Sequence, residues 1–157
     1  MQSPDDLDPD VAALEALTRV LVAIAWDSAH AAPVGVTFPQ VRLLLMLEAL
    51  GEVPSSRLAA ALGVNASSVT RLADKLEARG CVARGADPHN RSVVTLTVTE
   101  TGRQVVAHVL HRRHAALGTL LGELTPTRRR KVADAARELV AAAAGTAMPG
   151  STGPGPL

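Results

Sequence analysis

Aromatic side chains are almost missing from this chain. Trp26 and Phe38 stand alone and tyrosine is absent, so leucine, valine and alanine must build any core. The 157 residues, 47% of them apolar, suffice for one domain with a buried core, or one domain with helical extensions. Cysteine is nearly missing too: Cys81 alone excludes an internal disulfide and fits a reducing cytosol. No apolar run approaches the roughly 18–20 residues of a membrane-spanning helix. The acidic start "MQSPDDLDPD" has the wrong charge for a secretory signal. These absences predict a soluble, cytoplasmic protein with no membrane partner.

Catalytic and metal-binding patterns are missing as well. There is no phosphate-cradling glycine loop, no serine in a nucleophile elbow and no pair of carboxylates in an apolar setting. The expectation is a protein that is not an enzyme and carries no cofactor. His108, His111 and His114 recur every third residue along one helix, with His30 elsewhere. Spacings of three and three share a face only loosely and no acidic or thiol partner lies nearby, so no metal site is expected. Solvated surface histidines are the simpler reading.

What is present becomes visible once the charge is divided. The net charge is +1, but residues 1–53 hold two basic and eight acidic side chains, whereas residues 54–103 hold seven basic and four acidic. Residues 104–157 hold seven basic and three acidic. The middle of the chain is therefore locally basic, which permits a nucleic-acid partner without requiring one. "RRRK" at 128–131 falls in the first turns of a helix and opposes its dipole, so a solvated face is the default there.

Periodicity predicts six helices and one hairpin. A first helix runs from about Asp10 to His30, with Leu14, Leu17, Leu21 and Ile24 forming a narrow seam suited to another helix. "TFPQVRLLLMLEALG" opens a second, with Thr37 and Gln40 spaced as a capping box and Gly51 as a left-handed end. It is apolar nearly all round and should sit centrally. "PSSRLAAALGV" predicts a short third helix capped by Ser55 or Ser56, with Leu58, Ala59 and Leu62 inward. Gly63 turns the chain, and Asn65 caps a fourth helix. Two short helices around a tight glycine turn make a helix-turn-helix. The period then changes: Cys81–Arg84 and Val93–Val98 read as two strands around a polar tip. Thr99 caps a fifth helix carrying Val105, Val106, Val109, Leu110, Leu117, Leu120 and Leu121. Thr125-Pro126 opens a sixth, striped by Val132, Ala135, Ala136, Leu139, Val140 and Ala143. The Gly/Pro/Ser/Thr-rich end reads as disordered.

"NASSVTRLADKLEARG", residues 65–80, is the informative stretch. At 100° per residue, Val69, Leu72, Ala73 and Leu76 share the buried face, leaving Ser67, Arg71, Asp74 and Ala78 opposite with Thr70 and Lys75 flanking. Small residues let the backbone approach a partner closely, and hydroxyls and Arg71 suit phosphates or base edges. A B-DNA major groove about 12 Å wide admits one helix, and the arginine fork matches the two acceptors of guanine. A solvated helix in a bundle would be the plainer interpretation of the segment alone. The hairpin that follows, with Arg91 at its tip, changes the balance: a narrow minor groove attracts an inserted arginine.

In the order of its elements, in "TFPQ", in "GVNASSVTRLADKLEARGCVAR" and in "DPHNRSVVTLTVTETGR", the chain resembles the MarR (multiple antibiotic resistance regulator) family over about Leu14 to Val140. The resemblance implies a mainly α fold with a small β wing: a winged helix-turn-helix flanked by a helical dimerisation region. It implies a flexible start at 1–9, a dimerisation helix at 10–36, a DNA-binding region at 37–102, dimerisation helices at 103–144 and a disordered tail at 145–157. It further implies a homodimer that binds double-stranded DNA at a pseudopalindromic operator, commonly as a repressor released by a small aromatic or phenolic ligand. Ser67, Ser68, Thr70, Arg71 and Lys75 match the groove-facing positions, and Arg91 the wing arginine, with Asn90 beside it. The family often has aspartate at the place of Asn90 and a second arginine at that of Ser92, so the wing here carries less charge.

An effector pocket is expected where the end of the first helix, the start of the second and the fifth helix meet. Trp26, His30, Phe38, Val41, Met46 and His111 are its candidate lining, since pockets combine apolar walls with few polar groups. The plainer account is two large residues filling a core corner. The alternative functions are a ligand-independent regulator, a redox-responsive one using Cys81, or a winged helix that binds protein. Cys81 stands where relatives carry an aliphatic residue, which favours packing over sensing. A protein-binding helix would show an apolar or acidic outer face, and Arg71 and Lys75 oppose that.

Overall fold

The computed structural model describes residues 8–145, and the expected disordered tail beyond Gly145 lies outside them, as do residues 1–7. In chain order the elements are α1 (Pro9–His30), a 3-10 turn (Pro33–Gly35), α2 (Phe38–Leu50), β1 (Val53–Pro54), α3 (Ser55–Leu62) and α4 (Ala66–Glu77). Then come β2 (Val82–Ala86), β3 (Val94–Val98), α5 (Glu100–Gly122) and α6 (Pro126–Gly145). α1 starts one residue earlier than its periodicity suggests. Asp8 accepts the Asp10 N–H at 2.8 Å as its cap, so Asp8 and Pro9 belong to the helix end and not to a flexible start.

Local chemistry accounts for most element ends. Thr37 N–H donates to Gln40 Oε1 at 2.8 Å, the reciprocal half of the capping box at the start of α2. Gly51 ends α2 at φ +73°, where a Cβ is unfavourable, and its ψ of −154° turns the chain out into β1. α3 differs from expectation: Pro54 is its cap residue and Ser55 is already helical, with no side chain bonding the first turn. Proline serves there because its fixed φ leads directly into a helix and its missing N–H costs nothing in the preceding edge strand.

α2 lies in the middle. Val41, Leu43, Leu44 and Leu47 are buried, and Gln40 with them, and the helix touches α1, α3, α4, α5 and β3. Leu58, Val69, Leu76, Leu96, Val105 and Val109 close around it. This is a leucine and valine core, as the scarcity of aromatics requires. The sheet is three-stranded and antiparallel in the order β1-β3-β2, with Val53 opposite Leu96 and Arg84 opposite the same residue from the other side. β1 was not expected from sequence, being only two residues long.

The ends of the chain are different. α1 buries only Ser28 and Ala29, near its C-terminus, and exposes Val11, Leu14, Leu17, Val20, Leu21 and Val22. On α6, Val132, Leu139 and Val140 are exposed, and Ala133 and Ala143 are the only partly covered residues with described burial. No described helix is long and apolar enough to cross a membrane.

Candidate nucleic-acid interface

The helix-turn-helix is fixed by its turn. Gly63 adopts the left-handed conformation at φ +66° and ψ 33°, ending α3 and redirecting the chain. Two residues on, the Asn65 side chain accepts the Ser68 N–H at 2.8 Å and so caps α4. Ser67 Oγ donates to the same Asn65 oxygen at 2.8 Å. The amphipathic pattern then sets the rotation of α4: Val69, Ala73 and Leu76 are buried and Leu72 is half-buried. Ser67, Thr70, Arg71, Asp74 and Lys75 are exposed, while Ser68 is half-buried at the edge of this face. Thr70 Oγ1 donates to the Ala66 carbonyl at 3.0 Å, and Arg71 Nε reaches the Ser67 carbonyl at 3.4 Å. Arg71 thus lies along the exposed outer face.

The wing is the β2–β3 hairpin. Its tip is folded by Asp87, whose side chain accepts the N–H groups of His89 and Asn90 at 2.8 and 3.1 Å. Asp87 N–H in turn donates to the Val93 carbonyl at 3.0 Å, closing the loop. Asn90 and Arg91 are both exposed at this tip. Asn90 Oδ1 accepts the N–H of Ser92 at 3.1 Å. The asparagine shapes the turn and leaves the guanidinium of Arg91 outward.

α4 and the strands of the wing border a common cleft. Thr70 and Asp74 of α4 line one open cleft with Arg84, Val94 and Leu96 of the hairpin. One guanidinium spans it: Arg84 on β2 donates through one terminal nitrogen to Asp74 and through the other to Glu77. Sequence reasoning missed Arg84. Its partners lie ten and seven residues back on another element, and only the strand direction after Gly80 brings them together.

Cys81 sits beneath this hairpin, fully buried, and burial pushes its thiol up from the ordinary range, with Arg79 a smaller opposing influence. A thiol held protonated is a poor nucleophile. No three His, Cys, Asp or Glu side chains among the described residues come together as a metal site.

Of the expected pocket lining, three residues meet. Trp26 packs its ring 4.7 Å from His30 and 5.3 Å from Phe38, centroid to centroid, at the junction of α1 and α2. His30 Nδ1 lies 2.9 Å from the Trp26 carbonyl. α5 passes nearby, since Arg112 pairs with Asp27 at 3.3 Å, next in sequence to Trp26. Val41 is buried in the core, His111 is exposed on α5, and Met46 is half-buried eight residues beyond Phe38, about 12 Å further along the helix. Trp26 itself is 51% exposed, so it is not a filled core corner in the single chain.

The same architecture recurs in known proteins. RV1404 from Mycobacterium tuberculosis superposes with a TM-score of 0.77 at 28% identity, covering 90% of this chain and 98% of that one. The transcriptional repressor MprA of Escherichia coli (strain K12) is 32% identical over 88 residues, 56% of this chain but 50% of its own length. The chain thus spans about half of that relative. The HTH-type transcriptional repressor MdtR of Bacillus subtilis (strain 168) is 32% identical over 126 residues, 80% of each protein. The model of the MarR family matches residues 34–91, from the turn before α2 to the arginine at the wing tip. With a core, a capped α4 and a wing that agree with these matches, the chain belongs to the MarR family.

Proposed function

We propose that the protein is a homodimeric, sequence-specific DNA-binding transcriptional regulator, most simply a repressor. The observation that carries this reading is the outer face of α4, where small side chains, Arg71 and Lys75 stand exposed, next to a hairpin whose strands share a cleft with Thr70 and Asp74 of that helix. Each copy would lay α4 in a major groove, with Ser67, Ser68, Thr70, Arg71 and Lys75 toward bases and phosphates. Arg91, shaped by Asn90, would reach the adjoining minor groove. Double-stranded DNA at a two-fold pseudopalindrome is then the partner, and the compartment is the one that holds the genome, the cytoplasm.

Dimerisation explains the chain ends. Among the described residues the apolar side chains of α1 and α6 stand largely exposed, and exposed apolar surface of that extent marks an association site. A second copy covers them and sets the distance between the two α4 helices. The Trp26, His30 and Phe38 cluster lies where α1 of this dimerising region meets α2 of the DNA-binding region. An aromatic effector stacking there would shift DNA affinity only if it prefers one spacing of the α4 pair.

Selection of DNA from a randomised duplex library by the full chain tests the reading. Arg71→Ala should then cost about 1–3 kcal/mol and relax discrimination at one base pair per half-site. Arg91→Ala should weaken binding evenly across sequences and flatten its salt dependence. Recovery of no preferred duplex would overturn the proposal.

A further inference from the structure

α4 presents a difficulty for a helix that enters a polyanion: Asp74 and Glu77 lie on or beside its outer face, with side chains 54% and 40% exposed. Each would meet phosphates with the wrong sign. Arg84 answers both at once. Its planar fork offers two separate N–H edges, and each edge takes one carboxylate, a geometry that the point charge of a lysine does not reproduce. The Arg84 side chain is 32% exposed, less than either acid. Both carboxylates are thereby tied to one cation on β2, which cancels one of their two charges. Arg71 and Lys75 are the exposed cations of the helix.

We propose that Arg84 is a positioning residue for DNA recognition: it masks Asp74 and Glu77 so that α4 can approach the phosphate backbone, without itself touching DNA. This rests on the DNA-binding reading above. The masking is conditional on the acids, which separates it from a phosphate contact and from a plain structural tether. Removing Arg84 should hurt binding only while the carboxylates are there to be exposed.

The test uses the full-length chain and the strongest duplex recovered from the randomised library. One added negative charge about 6 Å from a phosphate in water costs roughly a threefold loss of affinity, and two freed carboxylates that swing outward bring the loss toward about tenfold. Arg84→Met should therefore bind about three- to tenfold more weakly than the parent. Adding Asp74→Asn and Glu77→Gln to it should restore affinity to at least the parental level, with the parental salt slope. A triple variant that stays weak, with a log–log salt slope lower by about 0.9, would identify Arg84 as a phosphate contact and overturn the inference. A triple variant that stays weak with an unchanged slope would make Arg84 a tether only, and overturn it equally. Should Arg84→Met fail to fold, Asp74→Asn with Glu77→Gln in the parent decides: removal of the masked acids should tighten binding about threefold or more, and unchanged or weaker binding would count against masking. If the parent retains no duplex, the DNA-binding reading falls and this inference with it. If the parent binds and Arg84→Met binds equally well, this inference alone is lost.

Discussion

Gly102 stands in the first turn of α5, where its backbone presses against the chain entering the wing. A Cβ built there would lie 2.1 Å from the carbonyl oxygen of Cys81 and 2.6 Å from Val98 Cγ1. In an ordinary helical position, replacing glycine by alanine gains about 0.5–1 kcal/mol. Here the clash is with backbone that has nowhere to go. Cys81 O accepts the Thr99 N–H at 3.1 Å and Cys81 N–H donates to the Leu76 carbonyl at 2.9 Å, so the peptide is held from both sides. Overpacking of a close-packed interior costs about 1–3 kcal/mol, and loosening the Thr99 bond adds about 1 kcal/mol. Gly102→Ala should therefore destabilise by about 1–3 kcal/mol once the propensity gain is subtracted. At roughly 2–4 °C per kcal/mol for a chain of this size, Tm should fall by about 2–12 °C. Gly118, in the same helix, provides the control: a Cβ there meets nothing within 4 Å. Gly118→Ala should gain up to about 1 kcal/mol. Urea unfolding followed by circular dichroism, at one fixed protein concentration because association adds to apparent stability, compares the three proteins. A Gly102→Ala protein as stable as the parent would refute the close approach of α5 to the wing.

Three further outcomes are expected. Light scattering at micromolar concentration should give about twice the 16.2 kDa chain mass; Leu17→Glu with Leu21→Glu should return it to the monomer mass, and a monomeric parent would contradict the assignment of the α1 and α6 faces. Asn65→Ala removes the α4 cap and should cost about 1 kcal/mol in urea unfolding, an unchanged midpoint arguing that the Ser68 bond contributes nothing. Titration with salicylate-like aromatics should shift the emission of Trp26, the sole tryptophan, and release duplex DNA over one concentration range; an emission change with DNA retained would leave a binding corner without a switch.

The parts of the fold that were legible in the sequence are those governed by neighbours in the chain. The Asn65 and Thr99 caps, the Thr37–Gln40 pair and the turn at Gly63 each involve partners within a few residues, and local chemistry specifies them. Helical periodicity likewise gave the buried side of α4. The apolar seam of α1 was legible as a stripe, and among the described residues its Leu14, Leu17 and Leu21 stand exposed. Contacts between distant segments were not readable. β1 exists only because Val53 and Pro54 meet β3 some forty residues later, too short a run for any alternation to announce it. The Ser55 or Ser56 cap failed because proline, with no side-chain acceptor, took the position through its backbone. Arg84 read as one more basic residue in a strand, since nothing local distinguishes a fork holding two acids from a solvated arginine. At the α1–α2 junction, the two aromatics could be placed near each other from sequence, but their half-exposure and the distance to Met46 could not.

The central claim is that two copies of α4 read DNA from the major groove. Guanine N7 lies in that groove, so protection of N7 from methylation on the library-selected duplex measures the claim directly. The account predicts two protected clusters on one face of the duplex, about one helical turn of 10 base pairs apart, with Arg71→Ala losing the same position from each. Retention of the duplex with no N7 protected, or protection unchanged in Arg71→Ala, would contradict it.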